Sequence, residues 1–377
     1  MKAAVDLSRE YGIVLEGGGA RGAYQIGAWK ALREAGVKIR GVAGTSVGAL
    51  NGALICMDDL KKAEEIWSAM AYSRVFHVED DLMERLRKLE IRSFDLAELA
   101  AEVKKVVAGR GLDIGPLKQL IADTIDEEKI RKSSCDFYAT AFSLTDRKEI
   151  NFDVKTAPEG TMKDMLLASA YFPGFKNEKL GGKTYMDGGS VNNVPVNVLT
   201  ERGYKDIIVI RIYGIGVDKE KRFTPPLDVT IHRIAPRKNL GGILEFDSAR
   251  AKRNMLLGYY DAKRLLYDLV GRRYYFHMPR SEAYYFDKMM SELSLFVRYL
   301  IPGGEPKELL GYRAYTEGIF PALAKKMRLP AQWNYRDFYG AVLEICARKM
   351  ELEVFHIYTV EEIMEKVHKV LAQPCIL

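Results

Sequence analysis

Gly12-Ile13-Val14-Leu15-Glu16-Gly17-Gly18-Gly19-Ala20-Arg21-Gly22 and, one helix further on, Gly44-Thr45-Ser46-Val47-Gly48 decide the fold. Gly12 to Leu15 is a short apolar run that stops at glycines, as a buried strand does. Ala20 to Ala35 carries a helical pattern closed by Gly36, a common residue just past a helix end. Val37 to Ala43 reads as a second strand and Val47 to Met57 as a second helix. Strand, helix, strand, helix implies a parallel sheet with helices packed on it.

Working outward, residues 59–132 read as mostly helical, with Asp95 to Val107 and Asp126 to Lys132 the clearer pieces. Cys135 to Leu144 and Lys148 to Asp153 alternate as two strands of a hairpin turning at Thr145-Asp146-Arg147. Met162 to Ala170 reads as a helix. Lys183 to Met186 reads as a short strand ending at Asp187-Gly188-Gly189, and Ile207 to Tyr213 as another buried strand. Phe246 to Val270 reads as one long amphipathic helix, and 282–300, 307–327, 335–350 and 360–372 as further helices. These signals divide the chain into 8–215, a connecting segment 216–280 with a long basic helix, and a helical region 281–377.

The chain has 377 residues, 48% hydrophobic and 29% charged, which is the composition of a globular protein rather than a disordered one. Its formal net charge of +6 is modest for this length and does not call for nucleic acid. Cys56, Cys135, Cys346 and Cys375 are scattered, with no metal-ligand spacing, so no metal is expected. Met1 to Glu10 lacks the apolar core of a signal peptide, and no run reaches the ~18–20 uncharged apolar residues of a spanning helix. A reducing, cytoplasmic setting is the expectation, with any membrane contact peripheral.

The glycine cluster joins a strand to a helix whose free N-terminal amides suit an anion. Gly17, Gly19 and Gly22 fit G-x-G-x-x-G, so a dinucleotide site competes. That reading requires an acidic residue ending the second strand, where Val42-Ala43-Gly44-Thr45-Ser46 has none. A packing turn would need only one or two glycines. An oxyanion hole is the third reading. Gly44-Thr45-Ser46-Val47-Gly48 supports it, because G-x-S-x-G at a strand-to-helix turn exposes a nucleophilic hydroxyl. Helix capping by Ser46 is compatible with that role. Two groups compete as its base. His277, after a strand-like stretch, would give the order Ser, Asp, His. Asp187 offers a carboxylate delivered by a strand onto a glycine turn, with Asn192, Asn193 and Pro195 extending a polar loop.

Together these residues resemble the patatin-like phospholipase family. Gly17 to Gly22 match its G-G-G-x-[RK]-G loop, and Gly44 to Gly48 its G-x-S-x-G. Ala168-Ser169-Ala170-Tyr171-Phe172-Pro173 match A-S-x-x-x-P, and Asp187-Gly188-Gly189 match D-G-[GA]. The resemblance covers roughly residues 8–215. It implies an α/β, three-layer fold with a central mostly parallel sheet, followed here by a mainly helical C-terminal region. It implies a Ser46–Asp187 dyad acting on lipid esters through an acyl-serine, with no metal or nucleotide cofactor. Gly17, Gly18, Gly19, Ala20, Arg21 and Gly22 then form the oxyanion loop, with Gly18, Gly19 and Ala20 the first choices as donors. Gly44, Gly48, Gly188 and Gly189 shape the two turns. Arg21 either fixes the loop, adds charge or faces solvent. Transfer of the acyl group to another alcohol is the alternative reaction, and lipid binding without catalysis the alternative class. Residues 219–280 hold 14 Lys/Arg against 6 Asp/Glu, among them Arg250, Lys252 and Arg253. A solvated helix face accounts for such a run; peripheral contact with an anionic membrane is the sharper reading.

Overall fold

The computed structural model describes residues 1, 3–77, 112–176, 178–300 and 312–372. The expected helix at Asp95 to Val107 lies outside them. The chain forms two compact units, one of Val5–Leu265 and one of Met1–Ala4 with Leu266–Leu377.

The first unit is built on a sheet of seven strands. They are β1 (Glu10–Leu15), β2 (Lys38–Thr45), β3 (Asp136–Ser143), β4 (Lys148–Asp153), β5 (Tyr185–Asp187), β6 (Asp206–Ile210) and β7 (Thr230–Ile234). Their order is β4-β3-β2-β1-β6-β7, with β5 also on β3. Four pairings are parallel, and β3 pairs antiparallel with β4 and β5. The strand β7 adds an edge that the sequence did not signal. Thr230-Ile231-His232-Arg233-Ile234 leaves only Ile234 buried, so it lacks the apolar run of the central strands. The first unit therefore takes in residues 216–265, which the sequence placed in a connecting segment.

Helices cover both faces, giving three layers. Alternation along the strands sends Val14, Ala43, Tyr138, Ile207 and Val209 to one face, against Val196, Val198 and Leu199 of a short helix (Val196–Thr200). On the other face lies α2 (Val47–Cys56), so close that a Cβ on Gly52 would meet Val42 and Phe137. On this side α1 (Ala23–Glu34) crosses the long helix α3 (Ser248–Tyr267). They touch backbone to backbone: a Cβ on Gly27 would lie 1.8 Å from the Met255 carbonyl oxygen, and one on Gly258 would lie 1.9 Å from that of Tyr24.

The second unit surrounds an aromatic core that includes Tyr274, Phe276, Tyr285, Phe338 and Tyr339. A two-stranded parallel sheet, Tyr275–His277 with Ile357–Thr359, sits among its helices. The stretch 282–300, expected as one helix, is two: Glu282–Ser291 and Leu293–Leu300.

Candidate active site

Strand register brings the site together. Thr45, the last residue of β2, lies opposite Thr140 of β3. Where β2 ends, β5 takes over the partnership with β3, and Asp187 lies opposite Ala141. Ser46 and Asp187 are therefore consecutive along the same edge of β3, although 141 residues separate them in sequence. The Ser46 hydroxyl donates to Asp187 Oδ2 at 2.5 Å.

The turn after β2 is sharp. Ser46 has φ 56° and ψ −126°, a region that L-residues avoid and that costs on the order of 1–3 kcal/mol. Gly48 allows α2 to start there, because a Cβ on it would sit 2.3 Å from the Leu15 carbonyl oxygen. Gly44 faces Gly48 in the same way across the turn. The strained turn is held by Ser169, a fully buried residue whose hydroxyl accepts from the Ser46 amide (2.9 Å) and donates to the Thr140 carbonyl (2.6 Å). One hydroxyl thus ties the Ser46 turn to the strand that aligns Asp187.

Asp187 is buried, and loss of water pushes its pKa up to about 6 against the opposing pull of the Ser46 hydroxyl and the Gly189 amide. Gly188 lies under Thr140, where a Cβ would be 2.2 Å from the carbonyl oxygen. His277, the competing base, lies on a strand of the second unit, and Asp187 accepts from Ser46 and Gly189.

The glycine loop is pinned amide by amide. Gly17 donates to the Asn193 carbonyl (3.2 Å) and Arg21 to that of Gly18 (3.2 Å). The Ala20 amide donates to the Ile243 carbonyl (2.8 Å). This corrects the expectation that Ala20 is a first-choice oxyanion donor, since its proton is already committed. Gly18 and Gly19 remain facing the pocket beside Ser46. Gly19 sits at φ +55°, and a Cβ there would lie 2.1 Å from the Ile243 oxygen. Gly22 packs under Val47 and Trp67. Arg21 fixes the loop: its guanidinium donates to the carbonyls of Gly241 (2.7 Å) and Tyr213.

Two buried polar groups behind the loop escaped the sequence reading. Glu16, 1% exposed, accepts from the Ile212, Tyr213 and Gly214 amides and from Arg211 Nε (2.9 Å). Burial nonetheless raises its pKa, the largest of several opposing effects. Arg211 also pairs with Asp218 and Glu220, so its charge is met on several sides. No sequence motif announces a contact between residues 16 and 211; adjacency of β1 and β6 creates it. Asn51 accepts from Trp67 Nε1 (3.0 Å) and donates to the Gly22 carbonyl (3.0 Å), linking α2 to the loop.

Ser46 opens onto an apolar pocket. Leu54, Trp67, Phe76, Ile121, Phe172 and Phe246 are among its walls. Phe76 packs edge-on against both Phe175 and Phe246, each at 5.7 Å between centroids. Among the described residues no His, Cys, Asp and Glu cluster is placed to hold a metal ion, and no helix is long and apolar enough to cross a membrane.

The site is thus a serine on a strained strand-to-helix turn, bonded to a buried carboxylate beside a glycine loop. The patatin-like phospholipase family model matches residues 13–200, and the chain belongs to that family. Among curated relatives, the neuropathy target esterase sws of Drosophila melanogaster is 29% identical over 205 residues, 53% of this chain and 13% of that protein. Patatin-like phospholipase domain-containing protein 7 of Rattus norvegicus is 26% identical over 200 residues, again 53% and 13%. The match thus spans about an eighth of these relatives' length. Among solved structures, VipD from Legionella pneumophila has a TM-score of 0.38 at 14% identity, covering 100% of this chain and 84% of that one. The type III effector protein ExoU has a TM-score of 0.35 at 14% identity, covering 90% and 78%.

Proposed function

We propose that the chain is a serine acyl hydrolase of lipid esters, with Ser46 as nucleophile and Asp187 as its base. The observation that carries this reading is the 2.5 Å hydrogen bond from Ser46 to Asp187 at the mouth of an apolar pocket. Ser46 Oγ attacks the ester carbonyl carbon while Asp187 takes its proton. The negative charge forming on the carbonyl oxygen faces the Gly18 and Gly19 amides, and losing one such donor typically costs roughly 100–1,000-fold in rate. Collapse breaks the bond to the leaving alcohol, which receives the proton from Asp187. Water then attacks the acyl-serine by the same steps in reverse.

The elevated pKa of Asp187 supports this role. An ordinary carboxylate is too weak a base for serine, whereas a group near 6 is a better acceptor and is still roughly 90% ionised at pH 7. The apolar walls support a lipid acyl chain as the group transferred, since each methylene buried contributes about 0.8 kcal/mol.

The test is turnover of p-nitrophenyl esters of increasing chain length by the wild type, Ser46→Ala and Asp187→Asn, with folding of each checked by circular dichroism. Activity that rises with chain length and disappears in both variants is the expected result. Near-normal turnover by Asp187→Asn together with its loss in His277→Ala would overturn the dyad.

A further inference from the structure

Residues 213–222 leave the end of β6 and run across the outside of the site. Their backbone is fixed to it. The Val217 amide donates to the Gly189 carbonyl (2.8 Å), and the Val217 carbonyl accepts from the Asn193 amide (2.8 Å). Glu16 holds the Tyr213 and Gly214 amides. Gly214 lies so close to the glycine loop that a Cβ would be 1.7 Å from the Gly17 oxygen. Ile215 is itself a wall of the pocket.

On this anchored loop two apolar side chains face outward: Tyr213 is 54% exposed and Val217 48%. Tyr213 is held at φ 49°, a conformation unfavourable for a bulky L-residue. The charges that follow are sorted by sign. Asp218 and Glu220 turn inward onto Arg211, while Lys219, Lys221 and Arg222 are exposed, Lys219 pairing with Glu149 and Lys221 lying 3.6 Å from Asp218. The outer surface beside the pocket therefore presents an aromatic ring, an aliphatic side chain and three cations, with the neighbouring acids withdrawn.

We propose that residues 213–222 dock the protein on an anionic lipid bilayer. The inference rests on the reading of the pocket as a lipid-ester site. Tyr213 and Val217 enter the headgroup region, Lys221 and Arg222 meet anionic headgroups, and Ile215 marks the path from that surface to Ser46. Charge complementarity selects this occupant over a neutral apolar partner, and each exposed cation near such a surface raises binding roughly fivefold. Asp218 and Glu220 are held by Arg211, and Lys221, 3.6 Å from Asp218, keeps 77% of its side chain exposed, so Lys221 and Arg222 stay open to headgroups.

The experiment is flotation of the full chain with phosphatidylcholine vesicles, with and without phosphatidylglycerol, at low and high salt. Lys221→Glu/Arg222→Glu and Val217→Ser are compared with wild type, each also assayed on soluble p-nitrophenyl butyrate. Wild type is expected to float with the anionic vesicles only, and salt to release it. The charge-reversed variant is expected to bind at least tenfold more weakly while hydrolysing the soluble ester at the wild-type rate. Val217→Ser is expected to bind severalfold more weakly. Failure of wild type to bind anionic vesicles, or equal binding by the charge-reversed variant, overturns the proposal. So does a wild-type dimer that Val217→Ser dissociates, since the patch would then be a self-contact. If wild type hydrolyses no ester, the lipid-ester reading fails by itself, and vesicle binding still decides the docking.

Discussion

Burial of Asp187 has opposite consequences for catalysis and for stability. Burial holds its carboxyl at about 6 in the folded chain, against an ordinary aspartate value of 3.8 when unfolded. Below both values it is neutral in each state and contributes nothing. As pH rises from 4 through 6 the unfolded state loses its proton first, so stability falls, by about 3 kcal/mol once the folded carboxyl is ionised. With Asp187 as the proposed base, activity is expected to rise through pH 6 to a plateau as the carboxyl ionises, which a pH profile of kcat/KM on a soluble ester measures. Asp187→Asn is expected to abolish turnover while raising the Tm at pH 8, with little change at pH 4. Ser169 acts through its neighbours. Ser169→Ala leaves the Ser46 amide and the Thr140 carbonyl without a shared partner, a penalty of about 1–3 kcal/mol. Because the Ser46 turn is then less well held, kcat is expected to drop roughly 10–100-fold with KM little changed, a split that steady-state kinetics resolves.

At the scale of elements, the crossing of α1 and α3 has no room for a side chain. Gly27→Ala or Gly258→Ala must push two helix backbones apart, and each is expected to cost about 2–4 kcal/mol in chemical denaturation. Neither glycine could be singled out in the sequence, because what makes each one necessary is a helix more than 200 residues away. The elements nearest the site were more legible. The opening strand–helix–strand–helix read correctly because an apolar run ending in glycine is local information. The edge strand β7 did not, since Thr230 to Ile234 owe their conformation to pairing with β6 rather than to their own pattern. The long helix was legible as an amphipathic stretch, but not its membership of the first unit. At the site, motifs placed Ser46, Asp187 and the glycine loop, while the fate of each amide depended on partners such as Ile243 and Asn193 that no motif includes.

At the scale of the whole molecule, the pocket walls come from segments far apart in the chain, from Gly18 to Phe246. Chain-length preference is therefore a property of the assembled first unit. Leu120→Trp, on the half-buried pocket wall formed by Gly115–Thr124, is expected to cut turnover of long-chain p-nitrophenyl esters at least tenfold and of the butyrate ester less than twofold. Comparing kcat/KM across the ester series checks this. The seam at β3, where β5 continues the edge that β2 vacates, also has a consequence for how the protein is made. During synthesis the glycine loop and Ser46 leave the ribosome early, but their carboxylate partner arrives only with the strand that ends at Asp187. Strand β1 waits longer still, for β6 to close its second side. A nascent chain stalled before residue 187 carries Ser46 without the carboxylate its hydroxyl bonds in the folded protein, so that pair forms only when the sheet is completed.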